Sequence, residues 1–203
     1  MLILCSNGLT SEQLFTAAKK RMMGKKSAAL VVTADHEYKE KNYHVPHCVK
    51  EISSLGLFVD LFDLDAEPPK ALLGYDVVEF IGGNPFYLLD SIRKHNAAPV
   101  LEAIAREKVL IGWSAAVFVF GPSLDLVNEY SPEMNICGLK NLQGLSLTDI
   151  NVLPHYSRFL NRFERFEERC REFEQLHQVK VLRLNDGEGV LIDGEQITVS
   201  RMP

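Results

Sequence analysis

The sequence predicts an α/β protein whose mainly parallel sheet carries helices on both faces. Short apolar runs alternate with amphipathic segments along much of the chain, which is typical of repeated strand and helix units with right-handed crossovers. Turn-forming residues directly follow two of these runs, at Gly82-Gly83-Asn84 and at Gly112-Trp113-Ser114. Near the carboxyl end, Asp193-Gly194 separates two extended runs and predicts a β-hairpin. We therefore expect a three-layer sandwich closed by an antiparallel hairpin.

The predicted strands are buried apolar runs bounded by turn signals. They comprise residues 2–6, 27–33, 57–62, 77–81, 109–111, 151–156, 179–184 and, as the hairpin, 190–197. The predicted helices comprise residues 10–23, 38–55 despite Pro46, a short piece after Pro69, a segment from Pro85, 97–107 and 158–177. Aromatic residues recur at helical spacing in the last of these, which favours a core-facing stripe. Residues 121–147 are predicted as long loops and short strands.

Composition restricts the class of protein. The chain has 203 residues, 46% hydrophobic and 24% charged, and we expect a single soluble domain spanning residues 1–203. No apolar run approaches the roughly 20 residues that cross a bilayer, so no membrane partner is expected. A net charge of −5 argues against nucleic acid as a partner. Residues 1–6 lack the pattern of a signal peptide, which favours a cytoplasmic location.

Neither the cysteines nor the histidines have the spacing of a metal site. Cys5, Cys48, Cys137 and Cys170 include no C-x-x-C pair and are expected to be reduced structural thiols. His36, His44 and His47 lie in a polar stretch without a matching set of thiolates or carboxylates, so we interpret them as surface residues. We expect no metal and no organic cofactor.

The stretch around Ser114 is the candidate catalytic centre. An apolar strand runs into Gly112, then Ser114, then Ala115 and Ala116, which resembles the G-x-S-x-G turn that exposes a nucleophilic serine between a strand and a helix. Ala116 stands where that pattern has its last glycine. A serine in this place is also often a helix N-cap, and on this stretch alone the two interpretations have similar weight.

A nucleophilic serine needs a base, an acid that orients the base, and donors for the oxyanion. His155 ends an extended segment and is the candidate base. Asp186, after another predicted strand, is the candidate acid, with Glu188, Glu129 and Asp125 as alternatives. The N–H groups of Ala115 and Gly83 are the candidate oxyanion donors. The glycines at 82–83 could instead hold phosphate, but no G-x-G-x-x-G or P-loop lysine accompanies them.

At these positions the chain resembles the peptidase E family of serine peptidases, aspartyl dipeptidases with cyanophycinase relatives. The resemblance spans nearly the whole chain. It is carried by Ser6-Asn7, Gly82 to Leu89, Ile111 to Ala115, Pro154-His155-Tyr156 and Leu184 to Gly187. It implies a scaffold like that of class I glutamine amidotransferases, a flavodoxin-like three-layer sandwich.

The same resemblance implies roles for individual residues. Ser114 would be the nucleophile, His155 the base, and Gly83 and Ala115 the oxyanion donors. The acid would be Asp186, with the position of Glu129 as an alternative.

Two positions depart from the family pattern. Ala116 replaces a glycine, and Phe166 occupies the position of an arginine that holds the substrate's aspartate side chain. Arg165, beside it, is our candidate for substrate binding together with Asn84, and Arg162 is an alternative.

We therefore expect a serine peptidase that hydrolyses short peptides in the manner of a dipeptidase, through an acyl-enzyme on Ser114. A preference for N-terminal Asp stays open. The alternatives are a non-catalytic relative that binds a small molecule, and a hydrolase of another acyl bond such as an isopeptide or an ester. The expected partner is a small peptide substrate, and a homodimer is compatible with the sequence.

Overall fold

The computed structural model describes residues 1–202, and its centre is a seven-stranded sheet. The strands of the protein are β1 (Leu2–Cys5), β2 (Ser27–Val31), β3 (Phe58–Phe62), β4 (Val77–Phe80), β5 (Val109–Trp113), β6 (Asn151–Leu153), β7 (Val181–Arg183), β8 (Gly189–Asp193) and β9 (Gln196–Ser200). The sheet has the order β3-β2-β4-β5-β1-β8-β9. Its first five strands pair in parallel, and β8 and β9 add an antiparallel hairpin. The predicted fold class is confirmed.

Helices cover both faces of this sheet. They are α1 (Glu12–Met22), α2 (Val45–Ser54), α3 (Pro85–Lys94), α4 (Ala98–Glu107), α5 (Ala115–Phe120), α6 (Asp125–Tyr130), α7 (Tyr156–Arg162) and α8 (Phe166–His177). Short 3₁₀ turns occupy Lys39–Lys41, Pro69–Gly74 and Pro132–Met134. Successive side chains of a strand point to opposite faces, so Ile3 packs with α1 and α2 while Leu4 packs with α3 to α5. Burial on both faces explains why the inner strands are almost wholly apolar.

The register of the sheet brings several strand ends to one edge. Cys5 pairs with Trp113 on one side and with Gly189 on the other. The carboxyl ends of β1 and β5 therefore lie beside the start of β8, because β8 runs in the opposite direction. Residues that follow β1 and β5, and residues that precede β8, meet at this edge, where open α/β sheets form their sites.

A second, two-stranded sheet delivers the remaining segments to the same edge. β6 and β7 pair in parallel, with Leu153 opposite Arg183. The residues just after each strand consequently emerge side by side. The strand predicted over residues 179–184 is present as β7, and it belongs to this small sheet.

Three predicted segments differ from the structure. Residues 121–147 contain a short helix, α6, and a 3₁₀ turn, with one isolated bridge between Ser123 and Gln143 in place of the predicted short strands. The helix predicted over 158–177 is divided into α7 and α8. The helix predicted over 38–55 begins only at Val45, so that Pro46 lies in its first turn. The N–H groups of a first turn have no acceptor within the helix, so the N–H that proline lacks costs no helical hydrogen bond there. Among residues 1–202, no helix combines the length and apolar character required to cross a membrane.

Candidate active site

Ser114 occupies a strained turn between β5 and α5. Its backbone has φ +54° and ψ −109°, a conformation that costs a non-glycine residue free energy and is concentrated at functional sites. The side chain makes no capping hydrogen bond to the helix that follows. The N-cap interpretation therefore fails, and the hydroxyl is directed elsewhere: Ser114 Oγ lies 2.9 Å from Nε2 of His155.

His155 follows β6 and is also in the left-handed region, with φ +57° and ψ 26°. Its Nδ1 lies 2.7 Å from Oδ1 of Asp186, which follows β7. Because a carboxylate only accepts hydrogen bonds, this contact places the ring proton on Nδ1 and leaves Nε2 free to accept the Ser114 proton. The imidazole ring also packs against the Phe159 ring in an edge-to-face arrangement. The histidine is thus oriented at both nitrogens.

The carboxylate of Asp186 has a partner at each oxygen. Oδ1 accepts from His155 and from the Ser6 hydroxyl, and Oδ2 lies 2.5 Å from Nε of Arg158. Burial alone would raise the pKa of Asp186, but these hydrogen bonds and the neighbouring positive charge hold that pKa below its usual value. Asp186 is therefore ionised at neutral pH. The contacts from Ser6 and Arg158 were not predicted from the sequence.

The other candidate acids make contacts away from His155. Glu129 is exposed on α6, and its carboxylate lies 3.9 Å from Arg169. Glu188 is buried, but its Oε2 accepts from the Asn185 N–H and from Arg201. Asp186 is the acid that the structure brings to the histidine.

The two predicted oxyanion donors lie beside Ser114. Ala115 begins α5, so its N–H has no acceptor within the helix. Gly83 follows β4 with φ +153°, and a Cβ at this position would overlap the Ala34 carbonyl, so glycine is required. Gly83, Ala115 and Ser114 all line one cavity, so both N–H groups are candidates to stabilise a negatively charged oxygen formed there.

Two cavities meet at Ser114. One, of about 470 Å³, is walled mainly by apolar and aromatic side chains, among them Phe118, Tyr130, Phe159 and Phe163. The other, of about 440 Å³, is more polar. The side chains that line it include Asn7, Thr10, Asn42, Tyr43, His44, His47 and Trp113. Both cavities share Gly83, Ser114, His155 and Arg158. We call them the aromatic cavity and the polar cavity.

The residues predicted to bind substrate lie differently from expectation. Asn84 caps α3 by accepting from the N–H groups of Phe86 and Tyr87, and its Nδ2 donates to the Met134 carbonyl. Its side chain is therefore committed to local structure, and Asn84 lines neither cavity. Arg165 is exposed and forms ion pairs with Glu168 and Glu172.

The aromatic cavity has a different arginine. Arg162 lines it, and its guanidinium lies over the Phe163 ring, 5.2 Å from the centroid. Phe166, at the position where the family pattern has an arginine, is buried against Tyr130, Phe159 and Phe163. Arg162 rather than Arg165 is positioned to meet a ligand in this cavity.

One of the three histidines that we interpret as surface residues is not exposed. His36 and His47 are exposed as expected, whereas His44 is half-buried against the Trp113 ring. Within residues 1–202, no group of three or more His, Cys, Asp or Glu side chains could hold a metal ion.

The sequence model of peptidase family S51 matches residues 2–200. The chain therefore belongs to peptidase family S51, and membership makes it a hydrolase of the peptidase class. The predicted resemblance is confirmed.

Individual relatives agree with this assignment. An uncharacterised peptidase of Listeria monocytogenes is 26% identical over 93% of this chain and 92% of its own length. Peptidase E of Citrobacter koseri is 28% identical over 73% of this chain and 65% of its own length.

Solved structures share the fold. The crystal structure of a protein assigned to peptidase E from Listeria monocytogenes EGD-e has 26% identity and a TM-score of 0.79, covering 100% of this chain and 98% of that one. A peptidase from an acI-B1 Actinobacterium has 16% identity and a TM-score of 0.71, with 98% and 87% covered.

Proposed function

We propose that this protein is a serine peptidase that hydrolyses short peptides through an acyl-enzyme on Ser114. The observation that carries the proposal is the continuous hydrogen-bonded line from Ser114 Oγ to His155 Nε2 and from His155 Nδ1 to Asp186, at 2.9 and 2.7 Å. A serine hydroxyl becomes nucleophilic when an adjacent base, itself oriented by a third group, takes its proton.

The proposed reaction has two halves. As Ser114 Oγ attacks the peptide carbonyl, its proton moves to His155 Nε2, and the new oxyanion accepts from the Ala115 and Gly83 N–H groups. The C–N bond then breaks, and His155 gives the proton to the departing amine. Water attacks the resulting ester by the same route in reverse, releasing the acid and restoring Ser114. Each oxyanion donor lowers the activation barrier by on the order of 3 kcal/mol, because it stabilises the negatively charged intermediate.

The two cavities support a substrate with one residue on each side of the scissile bond. Both open onto Ser114 and His155, so the acyl and amine portions can occupy separate spaces. Their limited volumes favour short peptides. In the aromatic cavity we propose that Arg162 meets an acidic group of the substrate, because its guanidinium is held over Phe163 beside the cavity.

We also propose that the protein acts in the cytoplasm. Cys5, Cys48, Cys137 and Cys170 are free thiols, as is usual in a reducing compartment.

A panel of dipeptides tests the proposed substrate class. The panel varies each position in turn through Asp, Ala, Leu, Phe and Lys, with product amino acids measured by mass spectrometry. We expect hydrolysis by the wild type and none by Ser114→Ala. Equal hydrolysis by both proteins would overturn the assignment. Cleavage of esters with no cleavage of any peptide would favour the alternative of another acyl bond.

A further inference from the structure

Ser6 is a fully buried residue that immediately follows β1. Its N–H donates to the Glu188 carbonyl at 3.0 Å, so the backbone here is held between the main sheet and the segment that leads into β8. The side chain has little freedom to move.

The Ser6 hydroxyl joins two parts of the site that are distant in sequence. It accepts from the main-chain N–H of His155 at 2.8 Å and donates to Oδ1 of Asp186 at 2.8 Å. Oδ1 is also the atom that contacts His155 Nδ1. A single hydroxyl therefore contacts both the backbone of the proposed base and the carboxylate that orients its ring.

We propose that Ser6 is a positioning residue for catalysis, whose hydroxyl holds the Asp186 carboxylate and the His155 backbone so that Nε2 faces Ser114. The proposal rests on the proposed function, in that it assigns Ser6 a part in the same reaction. Ser6 does not contact the reacting atoms and acts through Asp186 and His155.

Two features indicate that losing the Ser6 hydroxyl would disturb the positions of His155 and Asp186. His155 is in a left-handed conformation, and its N–H would lose its hydrogen bond without Ser6, at the cost of an unpaired donor. In addition, exposed Arg158 binds the other oxygen of Asp186. With the Ser6 donor removed, Arg158 can draw the carboxylate out of line with Nδ1.

The first test compares Ser6→Ala with Ser6→Thr, which keeps the hydroxyl. In metal sites, removing an outer group that orients a ligating histidine typically lowers metal affinity or activity 10- to 100-fold, and we take the same range for the histidine here. We expect Ser6→Ala to lower kcat by about that factor while KM changes less than about threefold, and we expect Ser6→Thr to recover part of the loss. The rate of fluorophosphonate labelling of Ser114 should fall in parallel.

Ser91→Ala is the matched control. Ser91 is also a buried serine bonded to an aspartate, Asp65, but it contacts none of the proposed catalytic residues. We expect this variant to lose thermal stability without a loss in kcat. Equal kcat losses in Ser6→Ala and Ser91→Ala would show a merely structural role. Should Ser6→Ala fail to fold, Ser6→Cys replaces it with the same direction expected.

A double-mutant cycle tests whether Ser6 acts through Asp186. In an Asp186→Asn background, the factor by which Ser6→Ala lowers kcat should be at least about threefold smaller than in the wild type. The reason is that the effects of coupled groups are non-additive. Fully multiplicative losses would overturn the proposal.

A spectroscopic measurement separates this inference from the proposed function. The Nδ1 proton of a histidine bonded to a carboxylate is observable by proton NMR of ¹⁵N-histidine-labelled protein. We expect the His155 resonance to shift upfield or broaden in Ser6→Ala and to be unchanged in Ser91→Ala. An unchanged resonance in Ser6→Ala refutes the positioning role even if peptide hydrolysis is confirmed. A shifted resonance in a protein that cleaves no peptide would refute only the proposed substrate.

Discussion

Ala116 packs directly onto Gly112. The contact is so close that a Cβ added to Gly112 would lie only 2.9 Å from the Cβ of Ala116. The family pattern has a glycine at position 116, and the bare backbone at 112 provides the space for the methyl group. Ala116 is fully buried, and the turn at Ser114 forms with the alanine in place.

We therefore expect Ala116→Gly to leave kcat/KM within about threefold of wild type and to lower stability by about 1 kcal/mol, the helix penalty of glycine. Gly112→Ala should be far more damaging, because its Cβ would also lie 2.7 Å from the Phe120 ring. Urea unfolding and dipeptide hydrolysis measure the two effects. An increase of tenfold or more in activity for Ala116→Gly would show that the alanine impairs the site.

Asp186 is expected to be indispensable for turnover. Asp186→Asn keeps the shape but lets the amide donate to Nδ1, so that His155 adopts the wrong tautomer. We expect kcat to fall by about 10³- to 10⁴-fold. Glu129→Gln is the matched control, and it should retain wild-type kcat because its carboxylate faces Arg169. A large loss in Glu129→Gln with a small loss in Asp186→Asn would transfer the role to Glu129.

Arg162 and Arg165 provide a second matched pair. Arg162 lines the aromatic cavity, whereas Arg165 pairs with glutamates on α8. Arg162→Ala should raise KM for a dipeptide with an acidic residue by about 10-fold or more, since a hydrogen bond between charged groups contributes about 1.5 to 3 kcal/mol. Its effect on an alanine dipeptide should be small. The expectation fails if Arg165→Ala shows the selective loss instead.

Glu79 makes stability depend on pH. This residue of β4 is fully buried, and its Oε1 accepts from the Trp113 indole at 3.1 Å, while Oε2 has no hydrogen-bond partner among residues 1–202. Burial, with a smaller contribution from the charge of Glu51, raises the pKa of Glu79 to about 8 from an ordinary 4.5. The folded protein therefore retains a proton that the unfolded chain loses.

The sign of the effect follows from that proton. The stabilisation is fully present below pH 4.5 and is lost as the pH rises towards 8, with a slope of at most about 1.4 kcal/mol per pH unit. Glu79→Gln keeps an acceptor for Trp113 and cannot ionise, so its melting temperature should fall less between pH 5 and pH 8, a window of about 3 units set by the shifted pKa. Exposed Glu40→Gln serves as control. Parallel curves for wild type and Glu79→Gln would contradict the assignment.

The sequence allowed prediction of the main sheet and of the residues at its edge for a common physical reason. Buried parallel strands leave continuous apolar runs, and the residues after them must lie at one edge. Ser114, His155 and Asp186 each follow such a run, and the structure brings their side chains into contact. The same reasoning applies to Ser6, which follows β1, but its buried hydroxyl is revealed only by the register of β1 and β8.

The helical region after His155 could not be predicted in detail. Phe159, Phe163 and Phe166 all pack together even though the helix breaks between the last two. The apolar period therefore continues across the break and conceals it. Because the break turns the chain, Arg165 points to α8 and not to the cavity. Helix α6, with only six residues, is too short for a periodic pattern to be distinguished from a loop.

The most direct test of the account is the reaction of Ser114 with a fluorophosphonate, followed by intact-mass analysis of the wild type, Ser114→Ala and His155→Ala. We predict a single adduct on the wild type, none on Ser114→Ala, and labelling of His155→Ala slowed by at least about 10³-fold. A folded wild-type protein that forms no adduct, or an adduct that persists in Ser114→Ala, would contradict the assignment of Ser114 as an activated nucleophile.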